Sequence, residues 1–195
     1  MEEKQKVWFA SDHHFGHEFM QKMRNFKTIE EHDQTLIEAH NKVVKKGDDV
    51  YFLGDFTFKG TQHWQSYTEQ LNGNLHLIRG NHDCVGVNGK TYGFSWIKDY
   101  HEQKVNNILL ENFKSEPKIL LCLFHYPIYC HHKNKRGSIM LHGHTHSAIN
   151  GTAFARGKIK DMEVCVSNNW EPYELKDILL EMQDRPIFAP DCVNY

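Results

Sequence analysis

Residues 7–14 read Val-Trp-Phe-Ala-Ser-Asp-His-His, a short apolar run that passes directly into an aspartate and two histidines. An apolar run of this length, rich in aromatic and β-branched residues and closed by polar ones, reads as a buried strand. The same arrangement returns four more times along the chain. Val50-Tyr51-Phe52-Leu53 leads into Gly54-Asp55, and Leu75-His76-Leu77-Ile78 into Gly80-Asn81-His82-Asp83. Ile119 to Phe124 ends at His125, and Ser138 to Leu141 is followed by Gly143-His144-Thr145-His146. Five clusters of Asp, Asn and His, each placed just behind a strand, predict an α/β fold with one site assembled at a single sheet edge.

The residue types point to a metal. Carboxylate, amide oxygen and imidazole together suit Mn, Fe, Zn and similar divalent ions, whereas all-oxygen Mg or Ca sites use fewer imidazoles. On an extended segment residues two apart share a face, so Asp12 and His14 are expected to reach one ion together, and His144 and His146 to repeat that geometry. Asp55 is the natural bridging carboxylate, having oxygens for two ions. Glycines 54, 80 and 143 are expected to let the backbone turn where the ligands converge.

The ordered set resembles the calcineurin-like metallophosphoesterase family, whose pattern D-x-H, G-D, G-N-H-D/E, H and G-H-x-H is matched in order over residues 12–146. The resemblance implies a small member without a cap domain, folded as a four-layer α/β/β/α sandwich. It implies two divalent ions, manganese first, with iron, zinc, nickel or cobalt as alternatives. One ion would take Asp12, His14, Asp55 and His146, and the second Asp55, Asn81, His125 and His144. His82 would lie near the leaving group as general acid or phosphoryl stabiliser, with Asp83 orienting its imidazole. One departure is that His125 follows Phe124 where the family often has Gly or Ser, which implies a more closed second pocket. The activity implied is hydrolysis of a phosphate ester by a metal-bridging water, with a phosphodiester or nucleotide-type substrate favoured. A phosphomonoesterase or protein phosphatase, and a nuclease acting on nucleic-acid ends, are the alternatives. A non-catalytic scaffold would be expected to have lost ligands, and none is missing.

Composition sets the surrounding limits. At 195 residues the chain is expected to be a single domain, 1–195. A net charge of −2 excludes a generally basic nucleic-acid binder. The five cysteines (Cys84, Cys122, Cys130, Cys165 and Cys192) are odd in number and form no C-x-x-C pair, which favours a reducing cytoplasm. No signal peptide and no membrane span are expected, and the partner is a phosphorylated small molecule or nucleotide. Helices are expected from about Thr28 to Lys46, with Thr28 and Glu31 as a capping box, from Gln62 to Leu71, and from Glu174 to Met182. Ser95 to His101, Lys104 to Glu111 and Lys118 to Phe124 are expected as consecutive strands. Lys133, Lys135 and Arg136 lie between two ligand motifs and are candidates for binding substrate phosphate, as is Arg79. Arg24 with Phe26, and Asn169 with Trp170, are weaker candidates for a pocket wall, and His13 and His17 for a place beside the ligands. His32, His40, His63, His76 and His101 are read as structural.

Overall fold

Three parallel strands carry the first three clusters. In the computed structural model, which describes residues 5–60, 63–83, 90–106, 118–146, 160–168 and 170–187, β1 (Val7–Ala10), β2 (Asp49–Phe52) and β3 (Asn74–Ile78) lie side by side with Trp8 opposite Val50 and Val50 opposite Leu75. β4 (Trp96–Lys98) extends this sheet beyond β3, and β9 (Tyr173–Glu174) pairs antiparallel with β1, giving the order β4-β3-β2-β1-β9. A second sheet has the order β5-β6-β7-β8, built from Tyr100–Asn106, Lys118–Phe124, Ile139–His142 and Asp161–Glu163. Because β1, β2 and β3 run the same way, their polar successors emerge at one edge. β6 and β7 are likewise parallel and deliver His125 and the 143–146 cluster together.

Alternation along the strands divides the core in two. Trp8, Ala10, Val50, Phe52, Leu75 and Leu77 face α2 (Ile29–Val43) and α3 (Trp64–Thr68), packing with Leu36, Ile37, Trp64 and Tyr67. Their neighbours Phe9, Tyr51, Leu53 and Ile78 point the other way and meet Leu121, Leu123, Ile139 and Leu141 of the second sheet. The two sheets therefore pack face to face. α4 (Leu175–Met182) buries Leu175, Ile178, Leu179 and Met182 in this same cluster.

The expected elements are found with shifted ends. Thr28 caps α2, its hydroxyl accepting from the Glu31 N–H at 3.1 Å, but Glu31 answers through the Lys27 N–H at 2.8 Å rather than the cap residue itself. The helix stops at Val44, short of Gly47, because Val44 turns extended and becomes fully buried. The second helix is only Trp64–Thr68; residue 62, where it was expected to begin, lies outside the described residues, as do 107–111 of the expected strand from Lys104. Within Ser95–His101 the chain breaks at Asp99, leaving the first sheet with β4 and entering the second with β5. The short α1 (Glu18–Met23), β8 and β9 have no counterpart in the sequence reading.

Asp48 ties the starts of β1 and β2 together. Its carboxylate accepts from the Lys6 N–H at 2.9 Å, the Lys45 N–H at 3.0 Å and the Trp8 indole N–H at 3.0 Å. Burial pushes this carboxyl up, but the three donors outweigh it and hold its pKa below the usual aspartate value. Asp48→Ala strands those donors and is expected to cost about 2 kcal/mol in urea unfolding at pH 7. Because the folded-state pKa is the lower one, this contribution is present above the unfolded value of about 3.9 and is lost as pH falls through the folded value. Equal stability of wild type and variant at pH 7 would exclude the role.

Candidate metal centre

The ligand loops take a backbone conformation that sequence spacing did not suggest. Asp12, His14, Asp55, His144 and His146 have φ of 58°, 54°, 53°, 72° and 46°, the left-handed region that side-chain-bearing residues seldom occupy. Asp12 and His14 are thus brought together by two left-handed residues flanking His13, and not by sharing a face of an extended segment. The turn is stabilised by neighbouring chain: Asp12 N–H donates to Gly54 O and His14 N–H to Asp55 O, both at 2.9 Å. Close approach requires glycine at these turns. A Cβ on Gly80 would collide with the Asp55 carboxylate, and one on Gly143 would stand 2.5 Å from Asp12 Oδ2.

Side chains from both sheets converge on Asp55. Its Oδ2 lies 3.6 Å from His14 Nε2, 3.6 Å from His125 Nε2 and 3.9 Å from His82 Nε2. On one side His14 Nε2 and His146 Nε2 face each other at 3.2 Å, with Asp12 Oδ1 at 4.0 and 3.5 Å from them. On the other side Asn81 Oδ1 lies 3.0 Å from His125 Nε2 and 2.9 Å from His144 Nδ1. The donor atoms of Asp12, His14 and His146, of Asp55, His125 and His144, and of His14, Asp55 and His82 each fall within a reach that could hold a metal ion. All seven residues expected as ligands are therefore gathered, with Asp55 shared between the two sides.

Electrostatics fit such an ion. Burial raises the Asp12 carboxyl to about 7 despite hydrogen bonds from Ser11 Oγ and the His144 N–H, and the nearby Asp55 adds to the rise. Ionised, a fully buried carboxylate is stabilised by a compensating cation. Burial, and then the neighbouring His146, push His14 far below its ordinary value, and burial likewise lowers His125 and His146. These imidazoles stay neutral, so their lone pairs are free to bind metal.

Several expected contacts have other partners. Asp83 does not orient the His82 imidazole. Its Oδ2 accepts from the N–H groups of Asp55 and Gly80, both at 2.8 Å, and its Oδ1 from Phe56 N–H at 3.0 Å, so it staples the loop after β2 to the loop after β3. His82 is placed instead by its own N–H, which donates to Asp55 Oδ1 at 2.9 Å, and by the rings of His14, His17 and Phe58. Arg79 pairs with Asp99 at 2.5 Å, where the chain leaves the first sheet. Lys133, Lys135 and Arg136 precede β7 in a short helical turn, next to His132, whose ring bonds Glu102 of β5 at 2.9 Å. Ile139 pairs with Leu121, so this turn sits towards the strand start, away from the edge that carries the ligands. His13 is fully buried against Phe15, Phe52 and Phe56. Residue 169 lies outside the described residues, and Trp170 packs edge-on against Phe26.

Arg24 has a part that the sequence reading missed. Its buried guanidinium donates to Asp12 O at 2.6 Å and His13 O at 2.8 Å, and also to Ser167 Oγ and His32 Nε2. That leaves His32 Nδ1–H to donate to Asp33 Oδ1 at 2.8 Å, while Asp33 also accepts from Gly16 N–H and the Tyr67 hydroxyl. The ligand loop is thus gripped from beneath at residues 12, 13 and 16. One signal was available in the sequence: His32 and Asp33 stand four residues before Leu36 and Ile37, placing polar groups on the apolar stripe of a helix. Arg24→Lys, which keeps charge but not the fork, is expected to weaken Mn(II) binding about tenfold in calorimetric titration, with an unchanged far-ultraviolet spectrum. Unaltered affinity would remove Arg24 from the site.

No family model matches the chain. It is 33% identical over 164 residues to the Gene 66 protein of Mycobacterium phage L5, covering 73% of this chain and 78% of that protein. It is 30% identical over 186 residues to the uncharacterized protein MJ1445 of Methanocaldococcus jannaschii, covering 92% of each. Among solved structures, the protein of unknown function AQ665 from Aquifex aeolicus superposes with a TM-score of 0.64 at 24% identity, over 90% of this chain and 98% of that one, and so shares the fold. At these identities and coverages, the chain belongs to the family represented by the phage Gene 66 protein and MJ1445.

Proposed function

We propose that the chain is a divalent-metal-dependent phosphoesterase with a dinuclear centre, of the calcineurin-like type that its motifs resemble. The observation that carries this reading is the position of Asp55 Oδ2, 3.6 Å from an imidazole nitrogen of each ligand group. One ion would be held by Asp12, His14, Asp55 and His146, and the other by Asp55, Asn81, His125 and His144. Bound there, the ions would supply Lewis acidity and an activated water for attack on phosphorus. Manganese is the first choice for both, given the mixed oxygen and imidazole set.

The chain's own residues have separable tasks. Asp55 uses Oδ1 to fix the His82 backbone and keeps Oδ2 for the centre. His82, half-buried at the mouth, can hold a proton for the departing alkoxide. Asn81 and His144 stand exposed and His146 half-buried, so the centre opens to solvent on their side. That openness favours a phosphodiester or nucleotide-type ester. The nuclease alternative loses its support from the 133–136 charges, which sit towards the start of β7 instead of along the ligand edge. Two face-to-face sheets that contribute ligands to one centre support a single catalytic unit, and the four-layer arrangement is proposed for the chain as a whole. No helix among the described residues is long and apolar enough to cross a membrane.

Chelator-stripped protein is expected to hydrolyse neither bis-p-nitrophenyl phosphate nor p-nitrophenyl phosphate, and Mn(II) to restore turnover of the diester in preference to the monoester. Silence with Mn, Ni, Zn and Mg alike would sink the proposal, and a faster monoester would redirect it to a phosphomonoesterase. Asp55→Asn is expected to lower both metal content and kcat by about a hundredfold or more, because it weakens both ion sites. His82→Ala should lower kcat by about a hundredfold while two equivalents of metal remain by elemental analysis. Loss of metal from the His82 variant would make that residue a ligand, as its 3.9 Å approach to Asp55 also allows.

A further inference from the structure

Beside the centre stands an aromatic shelf that the ligand set does not use. The Phe58 ring lies parallel to the His17 imidazole, with centroids 3.9 Å apart and planes 5° from coplanar. The same Phe58 ring is 5.3 Å from the His82 ring, and His82 approaches Asp55. Phe58 is nevertheless 52% exposed, so with one face covered by His17 the opposite face is open to solvent. Phe19, 62% exposed on α1, has its ring 6.2 Å from His17. An exposed phenylalanine, pre-stacked on one face and adjacent to the residue proposed to meet the leaving group, is built to take a second planar ring.

We infer that the free face of Phe58 is a base-stacking subsite, and that the ester handled at the metal centre carries a nucleobase. The inference rests on the phosphoesterase reading for the position of the phosphate, and it deepens that reading by naming the group beside it. The occupant is a base and not a bulky apolar partner, because the open surface is one ring face and it lies beside His17 and His82, at the centre proposed to hold the ester phosphate. Stacking accepts any base and needs no hydrogen-bond readout. The other half of the centre presents Tyr126 differently: its ring meets His144 edge-on at 4.6 Å and 65°, and His125 at 5.0 Å and 74°.

The test is calorimetric binding of AMP and of ribose 5-phosphate to the whole Mn-supplemented protein. The two ligands share phosphate and sugar and differ in the base alone. Wild type is expected to favour AMP by about tenfold or more, and Phe58→Ala to bring the ratio of the two affinities close to one. Phe58→Tyr, which keeps the ring, should restore the preference. A wild-type ratio near one, no measurable AMP binding, or a preference lost in Tyr126→Ala but kept in Phe58→Ala would overturn the subsite. Its failure is separable from that of the parent reading. Metal-dependent turnover of the diester without an AMP preference removes the subsite alone. An AMP preference without turnover under any metal removes the hydrolase and leaves a nucleotide-binding centre.

Discussion

Five of the seven converging candidate ligands sit in left-handed backbone, and the contacts around Asp12, His14 and Asp55 keep those three there. Each such residue costs about 1–2 kcal/mol relative to the right-handed alternative. Five together therefore approach the whole stability of a domain, about 5–15 kcal/mol. A loop free to relax would abandon that conformation. Here it is held on every side: by backbone pairing between 12–15 and 54–56, by Asp83 bonding three N–H groups across two loops, and by Arg24 beneath the carbonyls of Asp12 and His13. Strain of this kind persists only where the surroundings over-determine it, and such places are commonly functional.

The same loop explains why adjacent histidines have opposite fates. Left-handed turns at residues 12 and 14 present Asp12 and His14 to the centre and send His13 into the cluster of Phe15, Phe52 and Phe56. His13 is thereby a plug and His14 a candidate ligand, although burial drives both imidazoles to the neutral form. His32 and His40 are buried as well, the first within the Arg24–Asp33 chain and the second against Asn72 O at 2.8 Å. Ring chemistry does not separate ligand from plug in this protein; the direction in which the backbone throws the side chain does.

That distinction marks how far the sequence could be read. Strand existence was legible, because Val7–Ala10 and Ile119–Phe124 are short apolar runs closed by polar residues, and parallel pairing then brings their successors to one edge. The convergence of the seven candidate residues followed from residue type and order. Ligand geometry did not, since φ at Asp12 or His146 leaves no periodic trace. Asp83 was misassigned because its neighbour in sequence, His82, is not its partner in space, while Asp55 and Phe56 are. Arg24 was underrated because its acceptors are carbonyls 11 and 12 residues away, and backbone acceptors carry no sequence signature at all. The basic run 131–136 misled for a related reason. Flanking ligands fix where a loop starts and ends but not the path between, and this one doubles back to the start of β7.

Placement of the ligands across two sheets gives the centre a structural consequence as well as a chemical one. Asp12, Asp55 and Asn81 follow strands of the first sheet, whereas His125, His144 and His146 follow strands of the second. The sheets are also joined by apolar contacts such as Phe9 and Leu53 with Leu121 and Leu141, by the backbone seam where Ser11 N–H donates to Val164 O at 2.9 Å and Val166 N–H to Ser11 O at 3.2 Å, and by the bonds of His144 N–H to Asp12 and of His125 Nδ1 to Leu53 O. Apolar packing fixes separation but resists sliding poorly, because it has no direction. Coordination is directional, so ions held as proposed would pin the register of one sheet against the other. Binding to the folded state alone also adds stability by mass action. Metal affinity and sheet–sheet alignment are then two readings of one geometry, and the grip of Arg24 and Asp83 on the ligand loops serves both.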